Sequence, residues 1–128
     1  MAGKLDPMAV ALEVMDRPWQ WGVADCCTAA CDVFRKLHGI DPMAPLRGTY
    51  SSRLGAVRAI RARGGWLSMA EGLASEAGLS VSDGAPGDIG LTQWHGGAAL
   101  VVHVGSGWAG KTERGMQTVE TVVRCWRA

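Results

Sequence analysis

The order of textures along the chain predicts an α+β fold, with helices first and a small antiparallel sheet after them. Two observations carry this expectation. Up to Gly78, apolar residues recur at helical spacing behind aspartate or serine caps; beyond it, short alternating and β-branched runs are separated by glycines. Helices gathered ahead of a meandering sheet indicate α+β rather than a parallel α/β arrangement.

The first helix is expected over residues 6–16. Asp6 supplies a cap, Pro7 the best tolerated first helical position, and Pro18 the stop. A second helix should start at Asp25, whose side chain can cap the amides of residues 27 and 28, and run through Val33, Phe34 and Leu37 to Gly39. Ser51 or Ser52 can cap a third, with Leu54, Ala56, Val57 and Ile60 on its apolar side and Gly64-Gly65 as its end. A short fourth spans residues 68–77. Three or four strands follow: residues 89–94 and 98–104, paired around Gly96-Gly97, and a final strand pattern over 118–126, with Trp108 after the Gly105 to Gly107 turn.

A length of 128 residues fits one domain, residues 1–128, with no polar linker inside it. The net charge of +1 comes from thirteen basic and twelve acidic residues spread along the chain, so no nucleic-acid partner is expected. The N-terminal stretch carries Asp6, Glu13 and Asp16 and lacks the apolar run of a signal peptide. No segment offers the roughly 18 to 20 apolar residues of a membrane span. Cytoplasmic synthesis with no membrane span is the expectation.

The stretch WQWGVADCCTAACDVF, residues 19–34, holds three of the four cysteines. Adjacent Cys26 and Cys27, with Cys31 one turn on, make a poor disulfide framework, so reduced thiols are expected. At the first turn of a helix, Cys26 would meet free backbone amides and the positive end of the helix dipole, both favouring thiolate. Cys27, Cys31 and Phe34 continue a core-facing stripe. Zinc sites usually bring ligands in separated pairs, which C-C-x-x-x-C with a distant Cys125 does not. No metal and no cofactor is expected.

The motif W-x-W-G-x-x-D-C-C, followed by Pro86-Gly87-Asp88-Ile89-Gly90 and a glycine-bounded strand, resembles the NlpC-type branch of papain-like cysteine peptidases. It is more closely similar to short tail proteins of phages and gene transfer agents, which carry W-G-x-x-D-C-C, then R-G-x-Y (here Arg47-Gly48-Thr49-Tyr50), and an aromatic C-terminal strand (Cys125-Trp126-Arg127). The resemblance covers the chain from about Trp19 to Trp126. It implies a papain-like fold, a nucleophile-type helix packed on the sheet, Cys26 as the nucleophile, Asp25 beside it, and Asp88 at the start of the first core strand. Trp21 and Trp19 would wall the site.

The family histidine does not carry over, because the matching position is Ala99. His103 lies four residues along the strand, roughly 13 Å away at strand rise, out of reach of the thiol. His95, between the two strands of the hairpin, is the candidate base; His38 stands at the far end of the cysteine helix as a C-terminal cation. The resemblance therefore leads to two expectations. One is a tail-tip or baseplate component of the virion with a degenerate site, contacting tail hub or baseplate proteins. The other is an active cell-wall cysteine peptidase or amidase cleaving peptidoglycan through Cys26 during tail penetration. Six tryptophans against one tyrosine and one phenylalanine fit a partner surface built on aromatic anchors if some are exposed.

Overall fold

The structure, a computed structural model, describes residues 5–94 and 96–128. Its described residues form α1 (Pro7–Met15), α2 (Cys26–His38), α3 (Arg53–Ala62) and α4 (Trp66–Glu76), followed by β1 (Ser80–Ser82), β2 (Ile89–Trp94), β3 (Gly97–His103), β4 (Trp108–Thr112), β5 (Gly115–Val119) and β6 (Arg124–Arg127). The fold is α+β, and all six strands lie in one antiparallel sheet of order β1-β6-β2-β3-β4-β5.

Local chemistry sets the helix ends. Asp6 accepts from the Met8 amide ahead of Pro7, and Ser52, rather than Ser51, accepts from the Gly55 amide. α2 begins with a reciprocal cap: Asp25 accepts from the Cys27 and Thr28 amides while its own N–H donates to Thr28 Oγ1. It ends at Gly39, whose φ of 74° takes the left-handed conformation a side chain resists. α4 starts at Trp66, two residues before the expected Ser68, because Gly64 and Gly65 already turn the chain into it.

α2 lies on β3 with α1 beside it. Phe34, Cys31, Cys27 and Val33 of α2 join Leu100 and Val102 of β3, Leu91 of β2 and Val14 and Met15 of α1 in the main core. Full burial of Phe34 alone is worth about 1.5–3 kcal/mol. The opposite face of the sheet holds a second, smaller core of Val101, Trp108 and Cys125. Cys27 and Cys31 are thus core residues, as the stripe predicts. Cys27 and Cys31 lie in the main core and Cys125 in the smaller one.

The hairpin of β2 and β3 runs in register from Ile89 opposite Val102 to Trp94 opposite Gly97. Two expectations on the sheet need correction. Among the described residues there are six strands rather than three or four, because β1 and the β4–β5 hairpin also pair. The pattern over residues 118–126 is two strands: β5 ends at Val119, and β6 pairs between β1 and β2. Residues between them are pinned across β2, with Val123 N–H donating to the Leu91 carbonyl and Thr92 Oγ1 to that of Thr121. No helix among the described residues is long and apolar enough to cross a membrane.

Candidate functional site

Everything around Cys26 is organised by the buried carboxylate next to it. Backbone bonds between Gln20 and Ala24 close a tight turn, which puts Gly22 at a φ of 83°. The Gly22 amide donates to Asp25 Oδ2 at 2.8 Å, and the Tyr50 hydroxyl donates to the same oxygen at 2.7 Å. Oδ1 takes the Cys27 and Thr28 amides at 3.0 and 2.9 Å. Asp25 is 1% exposed, and each of its oxygens is saturated by donors. It is an anchor that fixes the start of α2, the tryptophan turn and the Tyr50 segment to one another.

The R-G-x-Y motif has the same character. Arg47 donates to Asp41 and to Asp32 of α2 at 2.7 Å each, and Arg17 reaches the other oxygen of Asp32. Burial opposes the charge on Asp41, but the hydrogen bond and charge of Arg47, with the Met43 amide and the Arg35 charge, together outweigh it and hold the carboxyl below its usual range. This network ties residues 41–50 to α2 and so delivers Tyr50 to Asp25.

Cys26 opens α2 and is half-buried, while Cys27, Cys31 and Cys125 are buried. Its Sγ lies 4.0 Å from that of Cys27. The hydrogen bond with Cys26, then burial, push the Cys27 thiol well up; burial does the same to Cys31. The Tyr50 hydroxyl is also raised, by burial first and by its acidic neighbours after it, so it stays a donor. Cys26 faces a groove of about 680 Å³, with Trp21 and Tyr50 near the thiol, α3 along one side, and Ala98 and the β4–β5 turn on the sheet side.

Of the residues the sequence singled out, Asp25, Cys26, Trp21 and Trp19 come together at this groove. Asp88 does not. It sits at the start of β2 and accepts from Ser82 Oγ, the Ala85 amide and two nitrogens of Arg127, closing β1, β2 and β6 on one another. His95 lies outside the described residues. His38 packs its ring against Phe34, and its Nε2–H donates to the Gly87 carbonyl at 2.8 Å. His103 accepts from the Gly105 amide and stacks on Trp108, on the face of the sheet away from α2.

The alanine of β3 that lines the groove is Ala98 rather than Ala99. Side chains alternate along a strand, and Ala98 packs with Leu100 and Val102 on the α2 side, whereas Ala99 shares the face of Val101. Ala98, not Ala99, therefore lines the groove. Both are alanines, so β3 presents no imidazole there. Among the described residues no histidine lines the groove, which leaves a thiol at a helix start without a described imidazole.

Sequence reasoning missed Lys111. It is 1% exposed in β4, and its Nζ donates to the Met15 carbonyl at 3.0 Å and to that of Arg17, capping the end of α1 beside the groove. Nothing in a W-A-G-K-T run marks such a lysine. Trp108 and Trp126 are buried and serve the core, whereas Trp19, Trp21, Trp66 and Trp94 line the groove.

Comparison with known proteins returns no match among curated proteins and none among solved structures. One family model, described as Domain of unknown function (DUF6950), matches residues 6–128. Matched over nearly its whole length, the chain with this anchored Asp25-Cys26 pair belongs to the DUF6950 family.

Proposed function

We propose that this protein is a tail-tip or baseplate component of a phage or gene transfer agent, built on an NlpC-like, papain-like fold whose thiol site is degenerate. The W-G-x-x-D-C-C and R-G-x-Y motifs support the tail-protein reading through their resemblance. The observation that carries degeneracy is Ala98: the strand side chain facing the Cys26 groove cannot take the thiol proton or return one to a leaving amine. A helix dipole favours thiolate but cannot act as that general acid. The motif residues are kept by this reading as structure, with Gly22 and Tyr50 each donating to Asp25.

A second reading is an active cell-wall cysteine peptidase or amidase. It is favoured by the half-buried Cys26 at the opening of α2, on the groove. His95 would then take the thiol proton as sulfur attacks the amide carbon, and return it to the amine as the C–N bond breaks. Incubation with purified peptidoglycan separates the two. Under the tail-component reading, wild type and Cys26→Ala give the same negligible release of amines, and phage carrying Cys26→Ala assembles normal tails. Robust hydrolysis lost in both Cys26→Ala and His95→Ala would establish the peptidase.

A further inference from the structure

The helix α3 has an unusual relation to the rest of the fold. It is amphipathic, yet none of its ten residues is buried. Its members on the groove are Arg53, Ala56, Val57, Ala59 and Ile60; Arg53, Ala56, Val57 and Ile60 are spaced i, i+3, i+4 and i+7, one continuous stripe that Ala59 flanks. Ala59 and Ile60 touch the edge of the core, but the stripe also forms a wall of the Cys26 groove, and Val57 on it remains 37% exposed. Trp21, Trp66 and Ala98 continue the apolar lining. Apolar surface arranged as a concave stripe, rather than scattered, marks a binding face.

Charge narrows what that face takes. Asp25 is saturated by donors, and Lys111 is turned to backbone carbonyls. Arg53 on α3 and Arg114 on the β4–β5 turn also line the groove, and neither forms an ion pair among the described residues. Among the described residues Glu113 is the one exposed acid lining it, against the two arginines, so the available charge there is predominantly positive. Few uncharged polar side chains are present, which disfavours a ligand that needs many hydrogen bonds.

We infer that this groove is the docking site for an extended segment of a partner protein that presents a bulky apolar side chain beside an aspartate or glutamate. The apolar side chain covers the α3 stripe and the tryptophans, and its neighbouring carboxylate pairs with Arg53 or Arg114. The choice of a protein partner rests on the assembly reading above.

A random peptide library displayed on yeast, selected on the full chain and counter-selected on Val57→Asp, tests this. The substitution lies on a helix with no buried residue, and a retained cooperative melt confirms that it folds; Arg53→Gln with Arg114→Gln is the second variant. Enrichment of sequences pairing a large apolar residue with Asp or Glu is expected, with binding at least about tenfold weaker to Val57→Asp. The arginine variant should keep the apolar preference and lose the acidic one. No enrichment over Val57→Asp, enrichment without acids, saturable binding of muropeptides instead, or self-association abolished by Val57→Asp would each overturn the inference. The outcomes separate from those above: Cys26-dependent hydrolysis removes the assembly reading without touching peptide selection, and failed selection beside absent hydrolysis removes only the groove as the contact.

Discussion

The Tyr50 hydroxyl donates to Asp25 Oδ2 at 2.7 Å across twenty-five residues of sequence, and through this bond two separate motifs become one structural unit. A buried carboxylate is tolerable only where its lone pairs are filled. Tyr50→Phe removes one donor without changing the ring, so it should lower stability by about 1–3 kcal/mol. Urea unfolding at neutral pH measures this. A midpoint unchanged from wild type would mean that Asp25 does not depend on the contact.

Gly22 provides the second donor to that oxygen, and its backbone excludes any other residue. Its φ is 83°, and a Cβ built there overlaps the Tyr50 carbonyl oxygen. Gly22→Ala should cost at least about 1–3 kcal/mol from the left-handed backbone alone, with displacement of the Tyr50 segment adding to it. The expected result is a lower melting temperature together with faster alkylation of Cys27, as the start of α2 loosens. Stability equal to wild type would refute the steric account.

The helix caps were legible in the sequence because capping is local: Asp6, Asp25 and Gly39 each act within four residues of their own position. The hairpin of β2 and β3 was legible for a similar reason, since glycines separate two apolar runs. What failed to read depends on distant partners. β1 has three residues and an exposed Val81, too little for any pattern. β4 carries a glycine and a lysine, and becomes strand through its pairing with β3 and β5. Which of Ala98 and Ala99 lines the Cys26 groove is a one-residue register question, and two identical residues give no signal for it. The tryptophans likewise divide by tertiary position, core for Trp108 and groove for Trp21, rather than by anything adjacent to them.

Access and burial rank the four thiols. Cys26 is half-buried on an open groove, whereas Cys27, Cys31 and Cys125 are buried, with the first two also pushed toward the thiol form. Iodoacetamide should therefore modify Cys26 first, about tenfold or more faster than the others, because those require local opening before reaction. Peptide mapping after graded exposure reads the order directly. Earlier labelling of Cys31 or Cys125 would place the accessible thiol elsewhere and weaken both functional readings.

Asp88 sets the pH dependence at the other end of the sheet. Burial raises its pKa, but hydrogen bonds from Arg127, Ser82 and the Ala85 amide together outweigh burial, so the folded carboxyl lies below its ordinary value. A group held low in the folded state binds protons more weakly there than in the unfolded chain. Its stabilising contribution is complete above the unfolded value of about 3.9 and is lost as pH falls through the folded one. The carboxylate joins Ser82 of β1 to Arg127 of β6 at the start of β2, so its protonation loosens the outer sheet rather than the Cys26 groove. Asp88→Asn should be less stable than wild type at neutral pH by about 1.5–3 kcal/mol, the scale of hydrogen bonds to a charged group. Because the variant has no carboxyl to titrate at that site, its urea midpoint should fall less steeply than that of wild type below about pH 4. Asp41 remains to titrate in both proteins, so some slope persists in the variant. Parallel midpoint curves across the acid range would show that the Asp88 cluster holds no pH-dependent stability.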